Sequence, residues 1–153
     1  MGRWSREELE EAFQVYQETA LTAGMSGDWR SWADMFTLDA TYIEHHYGEF
    51  GGREAIYNWI QKTMEEPINR EMRYFPIDWY TIDKDRGWII AKVWNRMTDP
   101  GDGSIHQEHN ITILRYAGEM KWSYEEDVYN PAHFAEMIKG WMKRKQEVEA
   151  GKA

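Results

Sequence analysis

The chain has 153 residues and no cysteine, so it suits a single domain with its own core and excludes disulfides, thiolate metal sites and thiol nucleophiles. Its net charge of −9 argues against a nucleic-acid partner, because such binding depends on neutralising phosphates. No apolar run approaches ~18 residues, so no membrane segment is expected, and the expected location is the cytoplasm.

Helical spacing dominates the first part of the sequence. Ser5 and Glu8 form a capping box, and apolar residues follow at helical intervals. Turn and cap residues then divide the segment up to Pro67. Four elements are predicted here: a helix that ends near Gly24, a short helix after Asp28, a strand from Ala40 to about Tyr47, and a helix from Arg53 to Met64.

Alternating strand patterns follow, separated by turn sequences. Four long strands are predicted: Met72–Ile82, Trp88–Thr98, Ile105–Tyr116 and Lys121–Tyr129. Asn130 and Pro131 then begin a last helix that reaches about Val148. This order of elements is typical of an α+β domain: helices and one early strand come first, and a meander of strands and a C-terminal helix follow. The long sheet must curl around the helices to bury one of its faces. A cone-shaped cavity under the curved sheet is the default ligand site.

The order of elements and two segments resemble the nuclear-transport-factor-2-like superfamily, specifically its SnoaL-like branch. The segments are Gly27–Ile60, which contains "DAT" and "GGREAI", and Ile111–Pro131. The resemblance covers nearly the whole chain, 1–153, as one domain. It implies a SnoaL-like α+β barrel, in which a cone-shaped, curved antiparallel sheet wraps around N-terminal helices and a C-terminal helix follows.

The resemblance also implies a range of chemistries. Enzymes of this superfamily include ketosteroid isomerase, scytalone dehydratase, limonene epoxide hydrolase, polyketide cyclases and lyases that release formaldehyde from lignin-derived diaryl compounds. Most use no cofactor and move protons on hydrophobic substrates, with a carboxylate or histidine and tyrosines in the cone. Glu44 corresponds to the general base of ketosteroid isomerase, and Tyr16 resembles its oxyanion tyrosine. The second oxyanion group of ketosteroid isomerase is a protonated aspartate, and the corresponding position here lies near Thr112. This difference argues against strict steroid isomerisation.

The face of the first strand decides which ionisable groups reach the cavity. Period-two alternation puts Tyr42, Glu44 and His46 on one face and His45 on the other. The isomerase resemblance places the first set in the cone, whereas the apolar Ile43 favours the opposite face. Inside the cone, Glu44 and His46 could exchange a proton; the structural alternative is that Glu44 pairs with an arginine.

Two later strands carry further candidates. His109 resembles the histidines of scytalone dehydratase, and Asp127 is a loose counterpart of the aspartate acid of SnoaL-like cyclases. Asp127 shares its face with Glu125 and Tyr129. The spacing His106-x-x-His109 puts its two side chains on opposite faces of a strand, so no metal site is expected.

These observations predict a cofactor-free acid/base enzyme for a hydrophobic aromatic or polycyclic small molecule. A lyase step, either dehydration or retro-aldol release of formaldehyde, is favoured; the alternatives are a ketosteroid-isomerase-like isomerase, a polyketide cyclase, or a non-catalytic binding or assembly domain. A homodimer through the outer sheet face is expected. The catalytic candidates are Tyr16, Tyr42, Glu44, His46, His109 and Asp127. The substrate-binding candidates are Trp32, His45, Tyr47, Trp59, Trp94, Asn110 and Trp122.

Overall fold

The computed structural model describes residues 2–152 and contains four α-helices and seven strands within that range. The helices are α1 (Arg6–Ser26), α2 (Arg30–Ala33), α3 (Arg53–Glu65) and α4 (Pro131–Gly151), with a 3-10 turn at Asn69–Glu71. The strands are β1 (Phe36–Glu44), β2 (Gly48–Gly51), β3 (Met72–Tyr74), β4 (Ile77–Asp83), β5 (Trp88–Met97), β6 (Gln107–Gly118) and β7 (Lys121–Val128). None of the helices in this range is long and apolar enough to cross a membrane.

The strands form one curved, unclosed sheet in the order β2-β1-β7-β6-β5-β3, and β4 also pairs with β5. The pairing of β1 with β7 is parallel, and the other pairings are antiparallel. The concave face packs against α1, α2 and α3 around a core rich in large aromatic side chains such as Phe13, Trp32 and Trp122. The predicted α+β cone with its C-terminal helix is confirmed.

Two strand predictions were wrong in detail. The single strand predicted over 72–82 is two strands, β3 and β4, separated at Phe75 and Pro76. Proline has no N–H to donate to the ladder, and its carbonyl instead accepts a bond from Trp94 N at 2.8 Å. The strand predicted to reach about Tyr47 ends at Glu44, and the chain then turns back into β2, whose Gly48 pairs with Glu44 of β1.

Helix α1 continues past the predicted end near Gly24. This glycine lies where the helix meets the next layer, since a Cβ built on it would stand 2.5 Å from the carbonyl oxygen of Arg73. The helix ends instead at Gly27, whose φ of 79° is the left-handed conformation typical of a C-terminal cap. Gly24 therefore marks close packing of α1 on β3 and not a helix end.

A bulge in β7 changes which side chains face the core. Arg115 of β6 pairs with Tyr124, and the next residue, Tyr116, pairs with Trp122, so Ser123 is an extra residue in β7. The bulge turns Trp122 to the inner side, where it is fully buried. Simple alternation from Glu125 would place Trp122 on the opposite, outer face, and this one extra residue reverses that placement.

The convex face of the sheet carries half-buried apolar side chains. Trp88 meets Tyr124 edge to face with ring centroids 5.4 Å apart, and Ile111 and Ile113 lie on the same face of β6. The homodimer expected through this face stays a prediction.

Candidate active site

A cavity of about 400 Å³ lies between the concave face of the sheet and the helices. Its side walls are mostly aromatic. Trp29 and Trp32 come from the segment around α2, Trp59 from α3, and Phe134 from the first turn of α4. Such a volume with apolar walls suits a small hydrophobic molecule.

Two carboxyl groups lie side by side on the sheet wall of this cavity. Glu125 and Asp127 are two residues apart on β7, so their side chains share one face. Glu125 is only 2% exposed. Tyr16 Oη of α1 donates to its Oε1 at 2.7 Å, and Tyr42 Oη of β1 reaches its Oε2 at 2.7 Å. The hydroxyl of Tyr42 also contacts Asp127 Oδ2, and therefore bridges the two acids, which are called the carboxyl pair below.

Side chains of β5 and β6 hold Asp127 from the other side. Thr112 lies directly opposite Asp127 in the antiparallel register, and its Oγ1 donates to Asp127 Oδ1 at 2.9 Å. Asn110 Nδ2 donates to Thr112 Oγ1 at 2.7 Å, and Asn95 Nδ2 donates to Asn110 Oδ1 at 2.7 Å. This chain of hydrogen bonds fixes the orientation of the aspartate carboxyl group.

The environment of the carboxyl pair favours its protonated forms. Burial raises the pKa of Glu125 well above its ordinary value, and the charge of Asp127 raises it further. Burial also raises the pKa of Asp127. The ion pairs within residues 2–152 do not include either acid. Two adjacent buried carboxyl groups without a cation cannot both ionise cheaply, so the pair retains a proton at pH values at which free carboxyl groups have lost theirs.

The two tyrosines remain neutral. Burial, followed by the charges of the carboxyl pair, raises the pKa of Tyr16 and of Tyr42 well above the ordinary tyrosine value. They therefore act as hydrogen-bond donors and not as proton sources.

Glu44 stands at the mouth of the cavity and is 6% exposed. Its Oε1 accepts the backbone N–H groups of His46 at 2.7 Å and Tyr47 at 3.4 Å, and its Oε2 accepts the hydroxyl of Tyr129 at 2.6 Å. The arginine partner considered for Glu44 is not found among the described residues. The imidazole of His46 is exposed and meets the Tyr47 ring edge to face at 4.8 Å.

Comparison with family models of known proteins gives no match, and no curated protein matches the sequence. Solved structures do match. SalBIII, an epoxide hydrolase/cyclase-like enzyme in pyran ring formation in polyether salinomycin, superposes with a TM-score of 0.64 at 14% identity, over 84% of this chain and 95% of its own.

An LEH-like epoxide hydrolase of M. tuberculosis also gives 0.64, at 12% identity over 92% and 93% of the two chains. A Catenulispora acidiphila protein with a ketosteroid isomerase-like fold, solved with trimethylamine, gives 0.57 at 19% identity over 75% and 85%. This chain has the nuclear-transport-factor-2-like fold. At such identities, the likeness concerns the fold alone.

Most of the predicted site residues lie along the cavity of this nuclear-transport-factor-2-like cone. Of the two possible faces of β1, the structure turns Tyr42 and Glu44 inward, and His46 follows at the mouth. The other predicted residues that line the cavity are Tyr16, Trp32, Tyr47, Trp59, Asn110 and Asp127.

The structure places four predicted residues elsewhere. His45 points to the convex side, where its Nε2 lies 2.7 Å from Glu126 Oε2. His109 and Trp94 are also on the convex face, with ring centroids 5.5 Å apart, because the alternate residues of β5 and β6 face inward. Trp122 faces inward but is fully buried in the core, where its ring packs against Tyr16 and Tyr116. None of these four lines the cavity, and a contact between them and a ligand stays a prediction.

Sequence reasoning did not select Glu125, Thr112, Asn95 or Tyr129 as site residues. Glu125 had a usable signal, since it shares the period-two face of Asp127. Thr112 had a signal through the resemblance, which places an oxyanion acid near it, whereas Asn95 had none, because its contact with Asn110 depends on the register of β5 and β6.

Proposed function

We propose that this protein is a cofactor-independent acid/base enzyme that acts on a hydrophobic small molecule in the cone, by a lyase reaction. The observation that carries the proposal is the buried carboxyl pair, Glu125 and Asp127, at the wall of an aromatic cavity. A retained proton on one acid and a charge on the other supply an acid and a base at the same place.

The two acids suit different roles. Asp127 accepts hydrogen bonds from Thr112 and Tyr42, which stabilise its ionised form, so it is the base. Glu125 lies in the more buried position and keeps the proton, so it is the acid. Tyr16 and Tyr42 each have one hydroxyl proton, which they donate to Glu125 and to Asp127, so they can stabilise a developing oxyanion only by transferring that hydrogen bond to it.

A dehydration can then be written with proton transfers alone. Asp127 takes a proton from the carbon next to the one that bears the hydroxyl group, a carbon–carbon double bond forms, and the carbon–oxygen bond breaks. Glu125 gives its proton to the departing oxygen, which leaves as water. The proton on Asp127 then passes to Glu125 within the pair, and the starting state is restored. In a retro-aldol cleavage, Asp127 takes the hydroxyl proton, a carbonyl forms as the adjacent carbon–carbon bond breaks, and Glu125 protonates the carbon that is released. The proton on Asp127 then returns to Glu125.

Epoxide opening is a second candidate, favoured by the SalBIII and M. tuberculosis structures, which give the higher TM-scores of the three comparisons. Here Asp127 would activate a water or a substrate hydroxyl, and Glu125 would protonate the epoxide oxygen. The two candidates differ in their products, because the lyase releases a fragment whereas ring opening adds water or forms a new ring.

The test is a mass-spectrometric screen of hydrophobic β-hydroxy compounds and epoxides, followed by variants. For any compound that turns over, Asp127→Asn should reduce kcat by about 10²–10⁴-fold, and Glu125→Gln should have a similar effect. Glu49→Gln makes the same change of charge on an exposed residue of β2 and serves as the control. Full activity in Asp127→Asn would refute the proposed base, and binding without turnover across the screen would favour the non-catalytic alternative.

A further inference from the structure

The cavity contains acids but no strong base to balance them. Among the described residues that line it there is no lysine or arginine, whereas Glu44, Glu125 and Asp127 all contribute to its wall. The carboxyl pair reduces its own charge by keeping a proton. Glu44 is the register partner of Asp127 on the neighbouring strand, but its own hydrogen bonds go to Tyr129 and to the backbone after β1.

Glu44 also has acceptor capacity left. A carboxylate offers about four lone-pair positions, and the described contacts of Glu44 are three, from His46 N, Tyr47 N and Tyr129 Oη. A ligand that filled the cavity would displace the water that solvates the remaining position. A neutral ligand would then leave a carboxylate in apolar surroundings without a counter-ion, which is costly.

Aromatic residues of the cavity wall lie next to this carboxylate: Tyr129 donates a hydrogen bond to it, and the backbone N–H of Tyr47 lies 3.4 Å from it. Tyr47 and Trp59 have ring centroids 5.9 Å apart, Trp59 is 5.0 Å from Tyr42, and Tyr129 is 4.7 Å from Phe134. Aromatic rings around a carboxylate are the environment in which alkylammonium groups bind, because each ring face attracts a cation.

We propose that the mouth of the cavity binds the ammonium group of a hydrophobic amine, with Glu44 as counter-ion and Tyr47, Trp59 and Tyr129 around the cationic head. The apolar part of the molecule extends inward between Trp32 and Phe75, towards the carboxyl pair. This inference rests on the proposed function in taking the cavity as the substrate site, and it names the substrate class.

Three ligands of similar size test the charge directly. Phenyltrimethylammonium and tert-butylbenzene have nearly the same shape and differ by one positive charge, and benzoate carries the opposite charge. Quenching of tryptophan fluorescence reports binding. Phenyltrimethylammonium should bind about tenfold more tightly than tert-butylbenzene, and benzoate should bind most weakly. Equal or tighter binding of tert-butylbenzene or benzoate, or no binding of the cation, would overturn the proposal.

Two variants locate the effect. Glu44→Gln keeps the size of the side chain and an oxygen acceptor but removes the charge, so the tenfold preference for the cation should disappear. Glu49→Gln, on the adjacent strand and outside the cavity, should retain it. A preference that survives in Glu44→Gln would contradict the role of Glu44. Binding is measured without turnover, so the cation preference and catalysis are tested independently. An Asp127→Asn variant that loses catalysis but keeps the cation preference would show that the two proposals depend on different residues.

Discussion

The carboxyl pair should give folding a distinctive dependence on pH, and Glu125→Gln is the perturbation that isolates it. In the folded chain, burial raises the pKa of Glu125 well above its ordinary value. In the unfolded chain the residue titrates normally, so around neutral pH the folded state holds a proton that the unfolded state has lost. The stabilising contribution of Glu125 is therefore complete below its unfolded pKa and decreases as the pH rises towards its folded pKa.

The size of the effect follows from one proton. A difference of one bound proton changes the free energy of unfolding by about 1.4 kcal/mol per pH unit. Between the unfolded and the folded pKa of Glu125, the wild-type chain should therefore lose stability at about this rate relative to Glu125→Gln. Groups outside the carboxyl pair are common to both proteins, so their contributions cancel in the difference.

Urea unfolding followed by tryptophan fluorescence at several pH values measures both profiles. Equal m values in the two proteins would validate the comparison, and Glu49→Gln should follow the wild-type profile. Parallel profiles for wild type and Glu125→Gln would refute the reasoning, because Glu125 would then bind the same number of protons in the folded and unfolded states.

Three further variants test the packing and the hydrogen bonds. Tyr42→Phe removes the hydroxyl that bridges the carboxyl pair and should cost about 1–3 kcal/mol in urea unfolding; an unchanged midpoint would contradict the bridge. Trp122→Ala should lower the free energy of unfolding by about 3–5 kcal/mol. Trp79→Ala, at a side chain that is 47% exposed, should lower it far less. Equal losses in the two variants would contradict the burial of Trp122. Trp141→Phe removes the bond from Nε1 to Thr98 O at 2.7 Å and should accelerate hydrogen exchange in α4; unchanged exchange would show that this bond does not hold the helix.

Local signals in the sequence predicted much of the fold. The capping serine of α1 is in place, with Glu8 N bonded to Ser5 Oγ at 3.1 Å, and Asn130 caps α4 through Ala132 N at 3.0 Å. These signals act within a few residues, so they can be read from sequence alone. The cone shape of the sheet could be predicted in detail only from the resemblance to a known fold, because the curvature of a sheet depends on long-range packing.

The site was only partly predictable, because its contacts join distant segments. Tyr16 and Glu125 are 109 residues apart, and their contact depends on how α1 lies in the cone. Alternation showed that Glu125 and Asp127 share a face but could not show that this face is the inner one. The bulge at Ser123 reversed the expected position of Trp122, since one extra residue in a strand exchanges its faces.

The most direct test of the central claim is an NMR titration of the side-chain carboxyl carbons of Glu125 and Asp127 in the intact protein. The expected result is that Glu125 remains protonated well above the pH at which an unburied glutamate ionises. Ionisation of both Glu125 and Asp127 at ordinary carboxyl pKa values would contradict the claim that a buried proton on this pair supplies the acid in the cavity.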